Sequence, residues 1–228
     1  MTVLSASNLI VRFGETTALS GMTFEGHAGE SVAVVGYSGS GKSTLLRCLA
    51  GLQPPTSGTV LFEGRSVYRL TERERAAIRL RSFGFVFQSS ELLGELTLLE
   101  NIALPIELNG VRRRDSLRLA AKWAEDLGIS DAAARRPRHV SGGQRQRAAI
   151  ARALATGPRV VFADEPTGAL DSHNRDTVLS LLLEACAAAG CLLVLVTHDP
   201  VAAKSTNRLV RMTDGRVDVS RASLAGMP

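Results

Sequence analysis

The sequence has few aromatic residues, few cysteines and no long apolar run, and each shortage argues against a class of protein. Aromatic residues make up 4% of the 228 positions, which disfavours a nucleic-acid surface built from stacking side chains. The three cysteines, Cys48, Cys186 and Cys191, are an odd number without metal-ligand spacing, so we expect reduced thiols in the core. The longest apolar run, residues 191–196, is far shorter than the roughly 18 residues that cross a bilayer.

The charge and the N-terminus lead to further expectations about location. The N-terminus has no basic flank and no cleavage pattern, so we expect no secretory signal and a cytosolic chain, unless a partner holds it at a membrane. The net charge of +5 comes from arginine, with clusters at residues 112–114, 135–138 and 145–147. We interpret these clusters as solvated surface near an anionic cytoplasmic leaflet and predict no nucleic-acid partner.

A glycine-rich segment carries the strongest motif of the chain. Residues 36–44 match G-x-x-x-x-G-K-[ST], follow the apolar residues 31–35, and precede leucines at helical spacing. Glycines let backbone N–H groups converge on phosphate oxygens, a lysine reaches the terminal phosphates, and Ser43 can bind Mg²⁺. A flexible Gly/Ser loop is the alternative. The predicted nucleotide-binding residues of this phosphate loop are Gly36, Tyr37, Ser38, Gly39, Ser40, Gly41, Lys42, Ser43 and Thr44.

The order of predicted elements indicates an α/β fold. Strands and helices alternate from Ser31 onward, which favours a largely parallel sheet covered by helices. Residues 3–13, 17–26 and 58–63 instead predict a small antiparallel sheet, and residues 208–219 predict a hairpin that turns at Asp214-Gly215.

A helical block interrupts this core. Residues 89–157 read as helical throughout, with an apolar face formed by Leu117, Ala121, Ala124 and Leu127 and closed by Gly128. We therefore predict one domain of 228 residues. Its core comprises residues 1–88 and 158–228, and residues 89–157 form the inserted helical subdomain.

Two further segments carry chemistry. Residues 160–163 form an apolar strand that ends in Asp164 and Glu165, at the strand end where open α/β sheets bind ligands. Asp164 suits Mg²⁺ coordination through water and Glu165 is placed to polarise an attacking water, although a simple loop cap is the alternative.

Ser141 and Gln144 form a capping box, which puts two glycines in the first turn of a helix and exposes its N–H groups to an anion. An ordinary glycine-rich helix start is the alternative there.

The motifs together resemble those of an ATP-binding-cassette (ABC) ATPase. They match the Walker A, Q-loop, signature, Walker B, D-loop and H-loop set in order, at residues 36–43, Gln88, residues 140–144, residues 160–165, residues 169–171 and residues 197–199. The resemblance implies a RecA-like P-loop NTPase core that binds ATP and Mg²⁺. Val140 replaces the usual leucine of the signature, a conservative change that puts no catalytic role in doubt.

The resemblance also implies roles for single residues. Gln88 would contact Mg²⁺ and the attacking water, His198 would hold the γ-phosphate and Glu165, and Asp171 would couple two sites. Phe13 would stack on adenine where many relatives carry tyrosine. Lys42 and Glu165 complete the implied catalytic set. The implied Mg²⁺ ligands are Ser43, Gln88 and Asp164, and the implied signature contacts to the nucleotide are Ser141, Gly142, Gly143 and Gln144.

Partners follow from the same resemblance. Each ATP would lie between the phosphate loop of one copy and the signature of another, so a homodimer is expected. With no predicted span, a separate membrane permease is expected to hold the dimer at the cytoplasmic face of the cell membrane. Residues 87–106 and 163–172 resemble the macrolide-exporter and lipoprotein-release group (MacB/LolD-like), which implies a MacB/FtsX-like permease with a large extracytoplasmic domain. The alternatives are a cell-division-type cassette and a soluble DNA-repair or translation ATPase.

Overall fold

The computed structural model describes residues 1–217, apart from the side chains of Ser172 and His173. It divides into two compact units, Met1–Ala76 with Leu192–Pro228, and Ala77–Cys191. The strands are β1 (Thr2–Phe13), β2 (Thr16–His27), β3 (Ser31–Gly36), β4 (Ser57–Phe62), β5 (Arg65–Ser66), β6 (Phe83–Phe87), β7 (Val160–Asp164), β8 (Leu192–Val196), β9 (Arg208–Thr213) and β10 (Arg216–Val217). The helices are α1 (Lys42–Leu49), α2 (Glu72–Ser82), α3 (Leu98–Leu108), α4 (Arg113–Asp126), α5 (Gly142–Leu154), α6 (Ser172–Ala189) and α7 (Pro200–Lys204).

The first unit contains the predicted antiparallel sheet. Its strand order is β2-β1-β4-β5, and β1 pairs antiparallel with both β2 and β4. One face of β1 and β2 is buried, since Leu4, Leu9, Leu19 and Met22 are fully inaccessible to solvent. Alternation of buried and exposed residues along both strands fits a sheet with one face on the core.

The same unit holds the strand that leads into the phosphate loop. β3 lies between β8 and β9 and is parallel to both, while β10 returns antiparallel along β9. β8 is buried throughout and β3 is buried at residues 32–34, which is why both read as continuous apolar runs rather than alternating ones. The predicted hairpin turns at Asp214 and Gly215 as expected, and residues 218–219 of that prediction lie outside the described residues.

The second unit combines a parallel strand pair with helices. β6 and β7 pair in register from Phe83↔Val160 to Phe87↔Asp164. Phe162 is fully buried, and its ring meets that of Phe83 edge-on with centroids 5.3 Å apart. Helix α5 packs against α3, β6 and α6, so it is the central helix of this unit.

Two sequence expectations about the helical part are wrong. Residues 89–157 are not helical throughout, because residues 89–97 form an irregular segment before α3. Ser90 and Glu91 there have φ angles of 63° and 44°, which a right-handed helix cannot include. The spacing of polar and apolar residues could not reveal this irregular segment, because neither glycine nor proline stands at those two positions.

The predicted apolar face of α4 is also shifted. Ser116, Ala120 and Ala124 are the buried residues of the helix, whereas Ala121 is exposed. Ser116 can occupy this face because its hydroxyl donates to the carbonyl of Arg112 at 3.2 Å, which satisfies a buried polar group locally. The predicted stop is correct, since Gly128 follows the helix with a φ of 61°.

Candidate functional site

The phosphate loop of the first unit runs from the end of β3 into α1. Gly41 precedes α1 with a φ of 96°, and Lys42 is the first residue of the helix. The Lys42 ammonium donates to the carbonyls of Gly36 and Tyr37, each at 2.9 Å. The lysine therefore lies along its own loop, and the positive charge stands where oxygens of an anion would approach the N–H groups.

Close packing explains two of the loop glycines. A side chain on Gly36 would collide with the backbone oxygen of Met212, and one on Gly41 would collide with the backbone oxygen of Ala18. The loop is also tied down by its main chain, because the N–H of Gly215 donates to the carbonyl of Ser40 at 3.1 Å. Neighbouring backbone thus limits the path that the loop can follow.

Ser40 supplies a test of whether the loop fits a phosphate group. Its residue is 5% exposed, and its hydroxyl oxygen has no hydrogen-bond partner within residues 1–217. A buried hydroxyl without a partner is costly, so its presence in a glycine-rich turn suits a loop that binds an external oxygen ligand. The phosphate loop therefore fits a phosphate group by its N–H groups, its lysine and this hydroxyl.

His198 lies on the same strand edge as this loop. It follows β8, which is parallel to β3 and hydrogen-bonds with it through the N–H of Thr197 and the carbonyl of Val34 at 3.2 Å. Asp199 fixes the next turn, because its carboxylate accepts from the N–H of Val201 at 2.8 Å at the start of α7. The exposed His198 is thereby presented at the carboxyl end of the parallel strands.

Phe13 ends β1 and keeps 55% of its surface exposed. Its neighbour Arg12 lines an open cavity of about 630 Å³ in the first unit, together with Ser20 and Asp214. An exposed aromatic face beside polar groups can stack on a base.

The second unit places the Q-loop glutamine beside the two carboxylates. Because Phe87 pairs with Asp164, Gln88 and Glu165 follow at the same edge of the strand pair. The side-chain nitrogen of Gln88 lies 3.0 Å from where a Cβ of Gly168 would stand. Gly168 belongs to the turn after Glu165, since its N–H donates to the Glu165 carbonyl at 3.0 Å.

Glu165 has a strained backbone. Its φ is 49°, in the left-handed region that non-glycine residues seldom adopt. Such strain costs of order 1–3 kcal/mol and concentrates at functional sites, where surrounding structure enforces it. The strand therefore ends at Asp164, and Glu165 lies in the turn that follows it.

The signature segment forms the predicted capping box at the start of α5. The N–H of Gln144 donates to the Ser141 hydroxyl at 3.2 Å, and the Ser141 N–H donates to the Gln144 side-chain oxygen at 3.1 Å. Gly142 and Gly143 occupy the first turn, as predicted. The box occupies the Gln144 N–H, and the N–H groups of Gly142 and Gly143 precede it in the first turn, where the helix N-terminus favours an anion.

Asn174 connects this helix start with Asp171, and sequence reasoning missed it. A side chain on Gly143 would stand only 2.8 Å from the Asn174 side-chain oxygen. The Asn174 side-chain nitrogen donates to both carboxylate oxygens of Asp171, at 3.1 and 2.8 Å. The one available signal was the spacing Asp-x-x-Asn at a helix start, since Asp171 also caps α6 through the Asn174 N–H at 2.9 Å.

The structure thus brings most of the predicted site residues together within each unit. In the first unit the phosphate loop and His198 share one strand edge, and Phe13 ends a strand of the antiparallel sheet. In the second unit Gln88, Asp164 and Glu165 share another strand edge, while the signature residues adjoin Asp171 through Asn174. Within the described part of the chain, no group of three or more His, Cys, Asp or Glu side chains could hold a metal ion. Ser43, Gln88 and Asp164 stay predicted Mg²⁺ ligands.

Comparison with known proteins agrees with these motifs. The family model described as ABC transporter matches residues 19–168. The chain is 42% identical over 205 residues to the lipoprotein-releasing system ATP-binding protein LolD of Bacteroides thetaiotaomicron, covering 90% of this chain and 94% of that protein. Within residues 1–217, no helix combines the length and apolar character needed to cross a membrane.

Two solved structures of the ATP-binding cassette MJ0796 are also similar. A dimeric structure of a post-hydrolysis state bound to ADP and Pi has a TM-score of 0.86 and 34% identity, covering 94% of this chain and 96% of that chain. A second dimeric structure, described as a bacterial ABC transporter cassette, has the same TM-score, 35% identity and the same coverage. These matches confirm the predicted α/β P-loop fold with its antiparallel sheet, and the chain belongs to the ABC transporter family as an ATP-binding ATPase subunit of the MacB/LolD type.

Proposed function

We propose that two copies of this chain bind and hydrolyse ATP with Mg²⁺ and thereby drive a separate membrane permease. The observation that carries the proposal is the register of β6 and β7, which sets Gln88 beside Asp164 and Glu165 at one strand edge. A side-chain amide and two carboxylates at that position suit a metal-dependent hydrolysis of a phosphoanhydride.

Binding of the nucleotide is assigned to the phosphate loop. Its N–H groups and Lys42 would hold the β- and γ-phosphates, since a cation and converging donors neutralise their charge. Mg²⁺ would be held by Ser43, Gln88 and Asp164 and would screen the charge that develops during transfer. Adenine would stack on Phe13, whose ring is accessible.

Hydrolysis is assigned to Glu165 and His198. The Glu165 carboxylate would accept a hydrogen bond from the attacking water and take its proton as the water adds to the γ-phosphorus. His198 would donate to the γ-phosphate and orient that carboxylate. The left-handed backbone of Glu165 supports this assignment, because the observed strain is typical of catalytic positions.

The proposed assembly is a symmetric homodimer with two ATP sites. The open first turn of α5 supports it, because Ser141, Gly142, Gly143 and Gln144 present donors for a phosphate that a second copy would bring. The γ-phosphate would bridge the two copies, and Asp171 would couple the two sites. Hydrolysis removes the bridge, so the closed form loses its differential affinity and the dimer opens. The dimeric cassettes named above support this arrangement.

The proposed partner is a MacB/FtsX-like permease with a large extracytoplasmic domain. The LolD relative, an ATP-binding protein of a lipoprotein-releasing system, supports a separate membrane partner but does not specify its type. Residues near 88–93 and 104–105 would receive a cytoplasmic helix of the permease. The chain would then work at the cytoplasmic face of the cell membrane. Export of amphiphilic compounds, peptides, haem or lipoproteins is the proposed role.

A Glu165→Gln variant tests the catalytic assignment. The amide cannot take a proton, so ATP turnover should fall by about 10²–10⁴-fold while an ATP-bound dimer accumulates. Steady-state phosphate release and size-exclusion chromatography with ATP measure the two effects. Glu184→Gln, the same change on an exposed residue of α6, is the matched control. Normal turnover in Glu165→Gln would remove Glu165 from catalysis.

Identification of the partner tests the transport assignment. Detergent-solubilised membranes passed over the immobilised chain should yield a permease with a large extracytoplasmic domain. Recovery of a permease that activates a cell-wall hydrolase would favour the cell-division-type alternative instead.

A further inference from the structure

The segment after Gln88 has a backbone that only strong neighbouring contacts can maintain. Residues 88–97 join β6 to α3 without regular secondary structure. Ser90 and Glu91, with φ angles of 63° and 44°, are two successive non-glycine residues in the left-handed region. Because each such residue is strained, the surrounding side chains must determine this turn.

Gln146 of α5 holds the chain on both sides of Gln88. Its side-chain nitrogen donates to the carbonyl of Phe87 at 3.0 Å, and its side-chain oxygen accepts from the Ser90 hydroxyl at 2.5 Å. Gln146 is 1% exposed and Ser90 is 5% exposed, so water does not compete for these bonds. One buried amide therefore joins α5 to the residues that flank Gln88.

Arg152, also on α5, holds the two strained residues. Its guanidinium donates to the carbonyl of Ser90 at 3.0 Å and to that of Glu91 at 2.8 Å. Burial lowers the pKa of Arg152, and the charge of Glu91 opposes that effect. A largely buried cation that bonds to two backbone carbonyls is costly to disturb.

We propose that Gln146 and Arg152 are positioning residues for Gln88. They hold residues 87–91 on α5, and so keep the Gln88 side chain over the turn that follows Glu165. The inference rests on the proposed roles of Gln88 and Glu165, and it adds a specific link from the helix that begins with the signature to the Q-loop glutamine. Displacement of a positioned group by about 1 Å can slow an enzyme by about 100-fold, so the link should be visible in turnover.

Arg147 provides a matched control on the same helix. Its guanidinium donates to the carbonyls of Leu127 and Gly128, at 3.4 and 3.0 Å, at the end of α4. It thus makes the same kind of bond to a different segment. Loss of these bonds should change stability without moving Gln88.

The test measures turnover and thermal unfolding of Gln146→Ala and Arg147→Ala, alone and combined with Gln88→Ala. We expect Gln146→Ala to lower kcat by about 10- to 100-fold, while Arg147→Ala stays within about 2-fold of the native chain. We also expect the Gln88→Ala/Gln146→Ala double variant to be no slower than Gln88→Ala alone, because Gln146 acts through Gln88.

Multiplicative losses in the double variant would overturn the proposal, as would an unchanged kcat in folded Gln146→Ala. If Gln146→Ala does not fold, Ser90→Gly and Arg152→Lys take its place under the same criterion. Glycine at 90 tolerates the left-handed backbone and removes the hydroxyl together with the Cβ that carries it. Failure of the proposed function has a different signature, which is normal turnover in Glu165→Gln or Gln88→Ala.

Discussion

The phosphate loop and the 88–97 segment both follow the end of a parallel strand, but they are held by different kinds of contact. Backbone contacts hold the phosphate loop, where Gly215 donates to Ser40 and the Lys42 ammonium bonds to carbonyls of its own loop. Buried side chains from α3 and α5 hold the 88–97 segment. Glycines let neighbouring backbone approach the phosphate loop closely, whereas a loop held by side chains of a helix can move when that helix moves.

Substitution of Asn101 is expected to have the largest effect, a loss of stability in the 88–97 segment. Asn101 is fully buried in α3, accepts from the N–H of Leu93 at 2.7 Å and donates to the carbonyls of Leu93 and Thr97, at 3.0 and 2.9 Å. Asn101→Ala leaves these groups unsatisfied, so unfolding by urea should show a loss of about 2–4 kcal/mol. Asn109→Ala removes an exposed amide at the C-terminal end of the same helix and should cost less than about 1 kcal/mol. Equal losses would show that the 88–97 segment does not depend on its buried side chains.

Lys42→Ala tests the phosphate loop by its effect on ATP affinity. Hydrogen bonds to charged groups contribute about 1.5–3 kcal/mol, so ATP affinity should fall roughly 10- to 150-fold. Calorimetric titration measures the effect. Lys122→Ala on the exposed side of α4 removes the same charge and should leave affinity unchanged. Unchanged affinity in Lys42→Ala would contradict the assignment of the lysine.

Gly41→Ala tests whether close backbone packing determines the conformation of the phosphate loop. Gly29 and Gly41 both have positive φ, at 72° and 96°, but only an added methyl group at Gly41 meets another atom, the Ala18 carbonyl oxygen. Gly29→Ala should cost about 1 kcal/mol of stability from strain alone, and Gly41→Ala about 2 kcal/mol or more. Equal melting temperatures for the two variants would argue against close packing at Gly41.

The smallest effect concerns an ion pair away from both loops. Burial tends to raise the pKa of Glu30, but bonds from the Arg208 side chain and the His27 N–H, with nearby positive charge, lower it overall below 4.5. The ion pair therefore stabilises the fold fully at pH values above the pKa that Glu30 has in the unfolded chain. This stabilisation is lost as the pH falls through the lower pKa that Glu30 has in the folded chain. Since Arg208 is 38% exposed, Glu30→Gln should cost less than about 1 kcal/mol at pH 7. The difference from the native chain should shrink below pH 4.5, and a persistent gap in urea melts there would contradict this origin.

Local features of the fold and site were well predicted. The capping box at Ser141, the strand that ends at Asp164 and the glycine stop after α4 all depend on residues a few positions apart. The irregular residues 89–97 and the burial of Ser116 were missed, because each depends on contacts that residue spacing does not encode. The division into a core and an inserted helical subdomain, and the roles of the single site residues, stay predictions.

Residue spacing was enough to predict a phosphate-binding loop, the order of the motifs and the family, because glycine spacing, helix caps and apolar strands depend on neighbours along the chain. Only the tertiary structure decided where Gln88 stands and what holds it there. The nearby Ser90 is hydrogen-bonded to Gln146, 56 positions along the chain, and its carbonyl accepts a bond from Arg152. Hydrogen bonds between such distant residues depend on how the helices and strands pack, and spacing along the chain does not record that.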